Sequence, residues 1–173
     1  MAFAIFEPAI LAVLLAGVGP LVARILLHEP ELRLPAVSTQ VLRTLRTRFR
    51  VGILTNGDPA VQRRKVAALG LASEVDAVTY ACDAGRTGKP EPAAFLEVMT
   101  RLQSTPASTV FVGDDPEADI AGAARLGMRT IFVERWARHT PGPVRPTASV
   151  ESLVDVPRQV DQWLCEEEHR YVA

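Results

Sequence analysis

Apolar and polar residues alternate along the chain in two repeating patterns, one extended and one helical. Short apolar runs that end at turn residues predict strands at residues 50–54, 75–79, 109–112 and 129–133. Helical patterns, with apolar residues three and four positions apart, lie between these runs and again at residues 156–168. Strands that alternate with helices of this length form βαβ units, so the pattern predicts an α/β fold with a mostly parallel sheet.

Two polar clusters directly follow predicted strands. The sequence Thr-Asn-Gly at residues 55–57 follows the first strand, and Asp114 and Asp115 follow the third. Sheets of parallel strands bind ligands at the carboxyl ends of those strands. We therefore expect both clusters to lie at one binding site.

The acidic cluster contains Asp114, Asp115 and Asp119, all within six residues of the chain. Carboxylates this close raise one another's cost of ionisation, and a bound divalent cation relieves that cost. Oxygen ligands at a strand end suit Mg²⁺, which keeps several waters and often bridges to a phosphate. The alternative is that Asp114 or Asp115 caps the following helix, and the cluster alone leaves both interpretations open.

The turn formed by Thr55, Asn56 and Gly57 is a candidate phosphate-binding site. It precedes a helix whose first N–H groups are free and whose dipole favours an anion. An ordinary strand-to-helix turn has a similar composition, because Asn-Gly is common in turns. Taken alone, the turn favours this ordinary interpretation.

Lys89 lies in the run Gly-Lys-Pro-Glu-Pro at residues 88–92, ahead of a predicted helix. The prolines at positions 90 and 92 keep the chain extended, so the lysine can deliver one positive charge to a fixed point. A solvated lysine in a loop is the alternative when this segment is taken alone.

The three elements occur in a fixed order: strand–Thr-Asn-Gly, then Gly-Lys-Pro, then strand–Gly-Asp-Asp-x-x-x-Asp. They are separated by 34 residues from Thr55 to Lys89 and by 25 from Lys89 to Asp114. This arrangement resembles the haloacid dehalogenase (HAD)-like hydrolase superfamily. Thr55 matches its second motif, Lys89 its third, and Asp114 with Asp119 its fourth. The run at residues 88–95 is similar to the phosphoglycolate-phosphatase-like branch.

The resemblance covers residues 34–136. It implies a Rossmann-like three-layer α/β/α sandwich with a mostly parallel sheet. The cap that such enzymes usually carry is expected to be reduced or absent in this chain. It also implies Mg²⁺ as cofactor and a small phosphorylated metabolite as substrate. The implied site residues are Thr55 and Lys89 in catalysis, Thr55, Asn56, Gly57 and Lys89 in phosphate binding, and Asp114, Asp115 and Asp119 around the metal. Within this set, Asp114 would bind Mg²⁺ directly, and Asp119 would bind it through water or orient Lys89.

The superfamily's first motif, an apolar strand followed by Asp-x-Asp-x-Thr, has no clear match. In such enzymes the first aspartate attacks phosphorus, and the second acts as general acid and then as general base. No Asp precedes Asp58, and the nearest alignment places Glu7 at the nucleophile and Ala9 at the acid/base position. The longer glutamate would displace its oxygen by about 1 Å or more, which can cost about 10²-fold in rate, and alanine transfers no proton.

Residues 1–33 are predicted to form an N-terminal apolar segment, and residues 34–173 the core domain. One interpretation makes residues 3–6 a degenerate first strand, followed by a residual cap-like helix. The other places the start of the chain inside a helical cap, which removes the central strand and leaves exposed sheet edges. We favour the first, because a missing central strand would cost more than a domain of ordinary stability can lose.

Charge and composition narrow the range of partners. The net charge of −1 gives no basic field for nucleic acid. Residues 9–27 are almost wholly apolar, but no basic residue precedes them and Gly-Val-Gly-Pro interrupts them. We therefore expect this segment to pack on the domain or in a homodimer rather than enter a membrane. Cys82 and Cys165 form no CxxC pair, which fits a reducing, cytoplasmic compartment.

Two functions remain open from the sequence. The second, third and fourth motifs favour a Mg²⁺-dependent phosphomonoester hydrolase. The missing aspartates and the apolar segment, which needs covering, favour a catalytically inactive or truncated HAD-like domain that binds phosphate, Mg²⁺ or a protein partner. Whether the chain is an enzyme therefore depends on its first motif.

Overall fold

The computed structural model describes residues 34–137 and 143–172. The predicted N-terminal segment, including Glu7 and the apolar run at residues 9–27, lies outside the described residues. Within the two described stretches, no helix has both the length and the apolar character that crossing a bilayer requires.

Helices and strands alternate along the described chain, as the sequence pattern predicts. The helices are α1 (Ala36–Arg46), α2 (Pro59–Ala68), α3 (Leu71–Glu74), α4 (Pro92–Leu102), α5 (Gly122–Arg125) and α6 (Val156–Val172). The strands are β1 (Gly52–Thr55), β2 (Ala77–Tyr80), β3 (Val110–Gly113), β4 (Arg129–Val133) and β5 (Ala148–Val150). A π-helical turn, Pro116–Ala121, leads into α5, and single turns of 3₁₀ helix occupy Asp83–Gly85, Pro106–Ser108, Glu134–Trp136 and Leu153–Asp155.

All the strand pairs in the described chain are parallel. β1 pairs with β2, so that Thr55 lies opposite Tyr80. β3, β4 and β5 form a separate three-stranded sheet in that order, and Gly113 of β3 lies opposite Phe132 of β4. The carboxyl end of β1 carries the predicted phosphate turn, and the carboxyl end of β3 carries the predicted acidic turn.

Helices cover both faces of the strands. Successive side chains of a strand point to opposite faces. Accordingly, Ile53 joins one hydrophobic cluster with helices α1 and α6, whereas Leu54 joins another with α4 and α5. β3 divides in the same way, because Val112 belongs to the first cluster and Phe111 to the second. The predicted three-layer α/β/α architecture is therefore confirmed.

The structure adds two elements that the hydrophobic pattern does not indicate, β5 and α3. β5 is short, and only Val150 among its three residues is buried, so it gives almost no apolar signal. α3 has four residues, which is too few for a helical period to show. The helix predicted between the third and fourth strands begins as the π-helical turn at Pro116, and the last helix extends beyond its predicted end at residue 168.

Candidate active site

Lys89 and Asp119 form a buried ion pair between the two predicted clusters. Lys89 Nζ lies 2.6 Å from Asp119 Oδ1, and the two side chains are 3% and 1% exposed. Lys89 Nζ also lies 5.7 Å from the centroid of the Phe111 ring on β3. The alternative of a solvated loop lysine is therefore wrong, and Lys89 delivers its charge to a fixed point beside the acidic turn.

Asn56 connects the Thr-Asn-Gly turn to the lysine segment. Its side-chain Nδ2 donates to the Lys89 carbonyl at 2.9 Å, and its Oδ1 accepts from the Lys89 N–H at 2.8 Å. Gly88 makes this approach possible, because a Cβ there would lie 2.4 Å from Asn56 Oδ1. The Asn56 side chain thus holds the Lys89 backbone, which leaves its own backbone for the predicted contact with an anion.

Asp119 also fixes the acidic turn through its second oxygen. Asp119 Oδ2 accepts from the N–H groups of Asp114 at 3.2 Å and Asp115 at 3.1 Å. Gly113 leaves room for this contact, because a Cβ at that position would lie 2.5 Å from the Asp119 side chain. Since one oxygen pairs with Lys89 and the other accepts two N–H groups, Asp119 orients both the lysine segment and the acidic turn.

Asp115 is exposed and caps the π-helical turn. Its Oδ1 accepts from the N–H groups of Glu117 at 3.0 Å and Ala118 at 2.8 Å. The capping interpretation is therefore confirmed for Asp115, whose contact with a metal stays a prediction. Among the residues that the structure describes, no three His, Cys, Asp or Glu side chains converge as a preformed metal cluster.

Asp114 is half-buried at the end of β3 and is available to a cation. Burial, and next the nearby Asp119 carboxylate, raise the pKa of Asp114 to about 6, although its backbone hydrogen bond and Lys89 act in the opposite direction. A divalent cation would stabilise the ionised form. Mg²⁺ is commonly held by only one or two carboxylates together with substrate phosphate oxygens and water, so Asp114 fits this ion.

Thr55 is half-buried at the end of β1, and its hydroxyl contacts Gln62 on helix α2. Thr55 Oγ1 lies 3.0 Å from Gln62 Oε1. Gly57 follows with φ of +109°, in the left-handed region that favours glycine. Sequence reasoning did not identify Gln62, although helical side chains point back towards the N-terminus of their helix and Gln62 lies near the start of α2.

Two ion pairs fix the segment between β2 and Lys89. Arg63 of α2 pairs with Asp83, and its guanidinium lies 4.3 Å from the centroid of the Tyr80 ring. Arg86 pairs with Glu97 of α4. These pairs join the lysine segment to helices on both sides, and no sequence motif indicates them.

The model of the haloacid dehalogenase-like hydrolase family matches residues 5–127. This chain belongs to that family. The match contains the Thr-Asn-Gly turn, Lys89 and the acidic turn, and it also contains Glu7.

Curated and solved relatives of this HAD-like hydrolase include phosphatases and a dehalogenase. The phosphoserine phosphatase of Thermus thermophilus is 34% identical over 110 residues, which are 64% of this chain and 42% of that protein. A structure of a 2-haloacid dehalogenase from Pseudomonas syringae pv. Tomato is 33% identical with a TM-score of 0.65, covering 75% of this chain and 54% of the other. A HAD phosphatase from Thermococcus onnurineus is 30% identical with a TM-score of 0.62, covering 70% and 55%.

The HAD-like hydrolase spans about half the length of the curated relatives it matches. The matched part holds the second, third and fourth motifs, and the structure brings the last two into contact through Lys89 and Asp119. Glu7, the predicted stand-in for the nucleophile, lies outside the described residues, so its role stays a prediction.

Proposed function

We propose that this HAD-like hydrolase binds a small phosphomonoester together with Mg²⁺, and that its degenerate first motif makes hydrolysis slow or absent. The observation that carries the proposal is the buried Lys89–Asp119 pair, which holds the acidic turn against the lysine segment. Such a pair costs desolvation energy, so its place at the carboxyl ends of the strands favours a function at the site.

The charges at the site favour an added cation. Lys89 and Asp119 cancel each other, and Asp114 contributes a further negative charge when ionised. A phosphomonoester brings about two more negative charges at neutral pH, by analogy with a phosphorylated side chain. Mg²⁺ held by Asp114 would neutralise charge on the phosphoryl oxygens, which is the main requirement of phosphoryl transfer.

The protein groups proposed to hold the phosphoryl group come from two segments. The Thr55 hydroxyl and the Asn56–Gly57 backbone would donate hydrogen bonds to it. The start of α2 contributes less than the sequence predicts, because Pro59 has no N–H and the Asp58 carboxylate already accepts from the Val61 N–H. Lys89, fixed by Asn56 and Asp119, would place its positive charge beside the same group. The hydrogen-bond donors and the positive charge proposed to bind the phosphoryl group therefore come from residues that the structure describes.

The first motif is proposed to limit turnover. Glu7 would take the place of the attacking carboxylate with a longer side chain, and Ala9 would leave the leaving group without a proton donor. A binding site without an efficient chemical step is the expected result. The phosphatases among the relatives support a phosphomonoester as the ligand class.

Calorimetric titration tests this proposal. Wild-type protein and Asp114→Asn are titrated with Mg²⁺ and orthophosphate, and release of p-nitrophenol from p-nitrophenyl phosphate is followed in parallel. Asp161→Asn is the matched control, because Asp161 is an exposed aspartate on α6 that pairs with Arg48.

We expect Mg²⁺-dependent phosphate binding in the wild type and the control, loss of that dependence in Asp114→Asn, and little or no p-nitrophenol release. Orthophosphate binding that is absent, or that is equal with and without Mg²⁺, would contradict the proposal. Rapid p-nitrophenol release that survives Glu7→Ala would contradict the role given to the first motif.

A further inference from the structure

Gln62 lies beside the proposed phosphate site and belongs to none of the motifs. We propose that Gln62 is a positioning residue, which sets the direction in which the Thr55 hydroxyl donates its hydrogen bond. The inference rests on the proposed phosphate-binding function and adds a residue to that site.

The geometry places Gln62 between the two ends of the Thr-Asn-Gly turn. Its Oε1 is 3.0 Å from Thr55 Oγ1, and a Cβ on Gly57 would lie 2.9 Å from its Nε2. The glycine therefore leaves the space that the amide occupies. Gln62 is half-buried, so its hydrogen bond with Thr55 is partly shielded from water.

The start of helix α2 keeps Gln62 in this position. Asp58 caps the helix, since its side chain accepts from the Val61 N–H at 2.9 Å, and the Gln62 N–H donates to the Asp58 carbonyl at 2.9 Å. Gln62 thus lies on a fixed helical turn, and its side chain points back to the end of β1.

The hydroxyl of Thr55 has a single proton. When that proton is donated to Gln62 Oε1, only oxygen lone pairs remain for a ligand, and these repel phosphoryl oxygens. Rotating the Gln62 amide by about 180° brings Nε2 to Thr55 as a donor, and such terminal amide torsions have broad preferences. The Thr55 proton is then free to be donated to phosphate.

Glutamine is the side chain that serves both arrangements. Glutamate at position 62 would accept the Thr55 proton permanently and add a negative charge beside the anion. Methionine would fill the same space without donating or accepting a conventional hydrogen bond. Methionine and glutamine have similar shapes and no charge, so a purely structural role for Gln62 would leave phosphate binding in Gln62→Met close to that of the wild type.

The test measures binding of orthophosphate in the presence of Mg²⁺ by calorimetry. The variants are Gln62→Glu, Gln62→Met, Thr55→Val and the double variant Thr55→Val/Gln62→Met. Gln40→Met is the control, because Gln40 also contacts a threonine hydroxyl, that of Thr44 on helix α1. Circular dichroism and melting temperature show that each variant folds.

We expect affinity to fall about tenfold or more in Gln62→Glu and severalfold in Gln62→Met, which is the scale of one hydrogen bond to a charged group. In the Thr55→Val background, Gln62→Met should change affinity by less than about twofold, because its effect passes through the Thr55 hydroxyl. Gln40→Met should bind as the wild type does.

Two results overturn the inference while leaving the proposed function intact. One is equal affinity for the wild type, Gln62→Glu and Gln62→Met. The other is an effect of Gln62→Met that keeps its full size in the Thr55→Val background. A folded wild type that binds no orthophosphate would instead overturn the proposed function, and the inference with it.

Discussion

The side chain of Asn56 holds the backbone of Lys89. The Asn56 amide donates to the Lys89 carbonyl at 2.9 Å and accepts from the Lys89 N–H at 2.8 Å. Asparagine is suited to this contact because its side chain presents a donor and an acceptor together. The residue predicted to bind phosphate from the second motif thus also fixes the third motif. Asn56 and Lys89 are 33 residues apart in the chain, and these hydrogen bonds link the two motifs directly.

Replacing Asn56 should weaken both the fold and the site. Asn56→Ala leaves the Lys89 backbone groups without partners in a partly buried place, which should cost about 1–3 kcal/mol of unfolding free energy. Asn56→Asp keeps the acceptor for the Lys89 N–H but loses the donor and adds a negative charge. Urea unfolding and orthophosphate titration measure the two effects, and the prediction is wrong if Asn56→Ala matches the wild type in both.

Asp114→Asn should stabilise the metal-free protein at alkaline pH. The pKa of Asp114 is raised from 3.8 to about 6, so the folded state binds more protons than the unfolded state between these values. Stability therefore falls as pH rises through this window, and the ionised side chain opposes folding above it. At pH 8 the variant should be more stable by about 1–2 kcal/mol, allowing for the partial exposure of the group.

The stability advantage of Asp114→Asn should shrink as pH falls from 6 towards 4. Added Mg²⁺ should raise the melting temperature of the wild type at pH 8 more than that of the variant, because the ion binds the ionised carboxylate. Thermal melts at pH 4, 6 and 8 with and without Mg²⁺ measure this. A variant less stable than the wild type at pH 8 without metal would show that ionised Asp114 does not strain the fold.

Gly113→Ala should disrupt the site by displacing Asp119. The added Cβ would lie 2.5 Å from the Asp119 side chain, which is held by Lys89 and by two backbone N–H groups. Disturbing this buried network should cost about 2–4 kcal/mol. Gly127→Ala is a useful comparison, since nothing lies within 4 Å of a Cβ at that position although its φ is +81°.

The two glycine variants separate steric contact from backbone strain. Urea unfolding should show a larger loss in Gly113→Ala than in Gly127→Ala, whose cost should be about 1 kcal/mol from its left-handed backbone. Mg²⁺-dependent phosphate binding should fall only in Gly113→Ala. Equal binding in both variants would mean that Asp119 adjusts without consequence for the site.

Restoring the first motif should restore hydrolysis. The double substitution Glu7→Asp/Ala9→Asp recreates Asp-x-Asp at residues 7–9, the alignment suggested by the sequence. We expect its rate with p-nitrophenyl phosphate to exceed that of the wild type by about 10²-fold or more, because position and proton transfer each contribute on that scale. Glu7→Asp alone should gain less. No gain in the double variant would contradict this alignment.

Much of the fold could be predicted because buried strands and helices leave strong periodic signals. β3 is a continuous apolar run, β4 ends in one at residues 131–133, and α4 carries Phe95 and Val98 on one buried face. β5 could not be predicted, because an edge strand with a single buried side chain needs no apolar run. Its place depends on pairing with β4, which is a tertiary relationship.

The candidate site was predictable where the chemistry depends on residue type and spacing. Lys89, Asp114 and Asp119 are identified by motif order, and the structure places Lys89 against Asp119. Gln62 belongs to no motif. Its proposed role depends on the contact between the start of α2 and the end of β1, which only the folded structure shows. The sequence also could not show that Asp115 caps the helix whereas Asp119 pairs with Lys89, because hydrogen-bond geometry alone distinguishes the two aspartates.

A crystal structure with Mn²⁺ as an anomalous substitute for Mg²⁺ and tungstate as a substitute for phosphate would show whether Asp114, Thr55 and Lys89 form one site. We expect manganese bound to a carboxylate oxygen of Asp114, and tungstate within hydrogen-bond distance of Thr55 and Lys89. The two ions should share an oxygen or a water. Ordered ions at any other place, with the ends of β1 and β3 empty at saturating concentrations, would contradict this expectation.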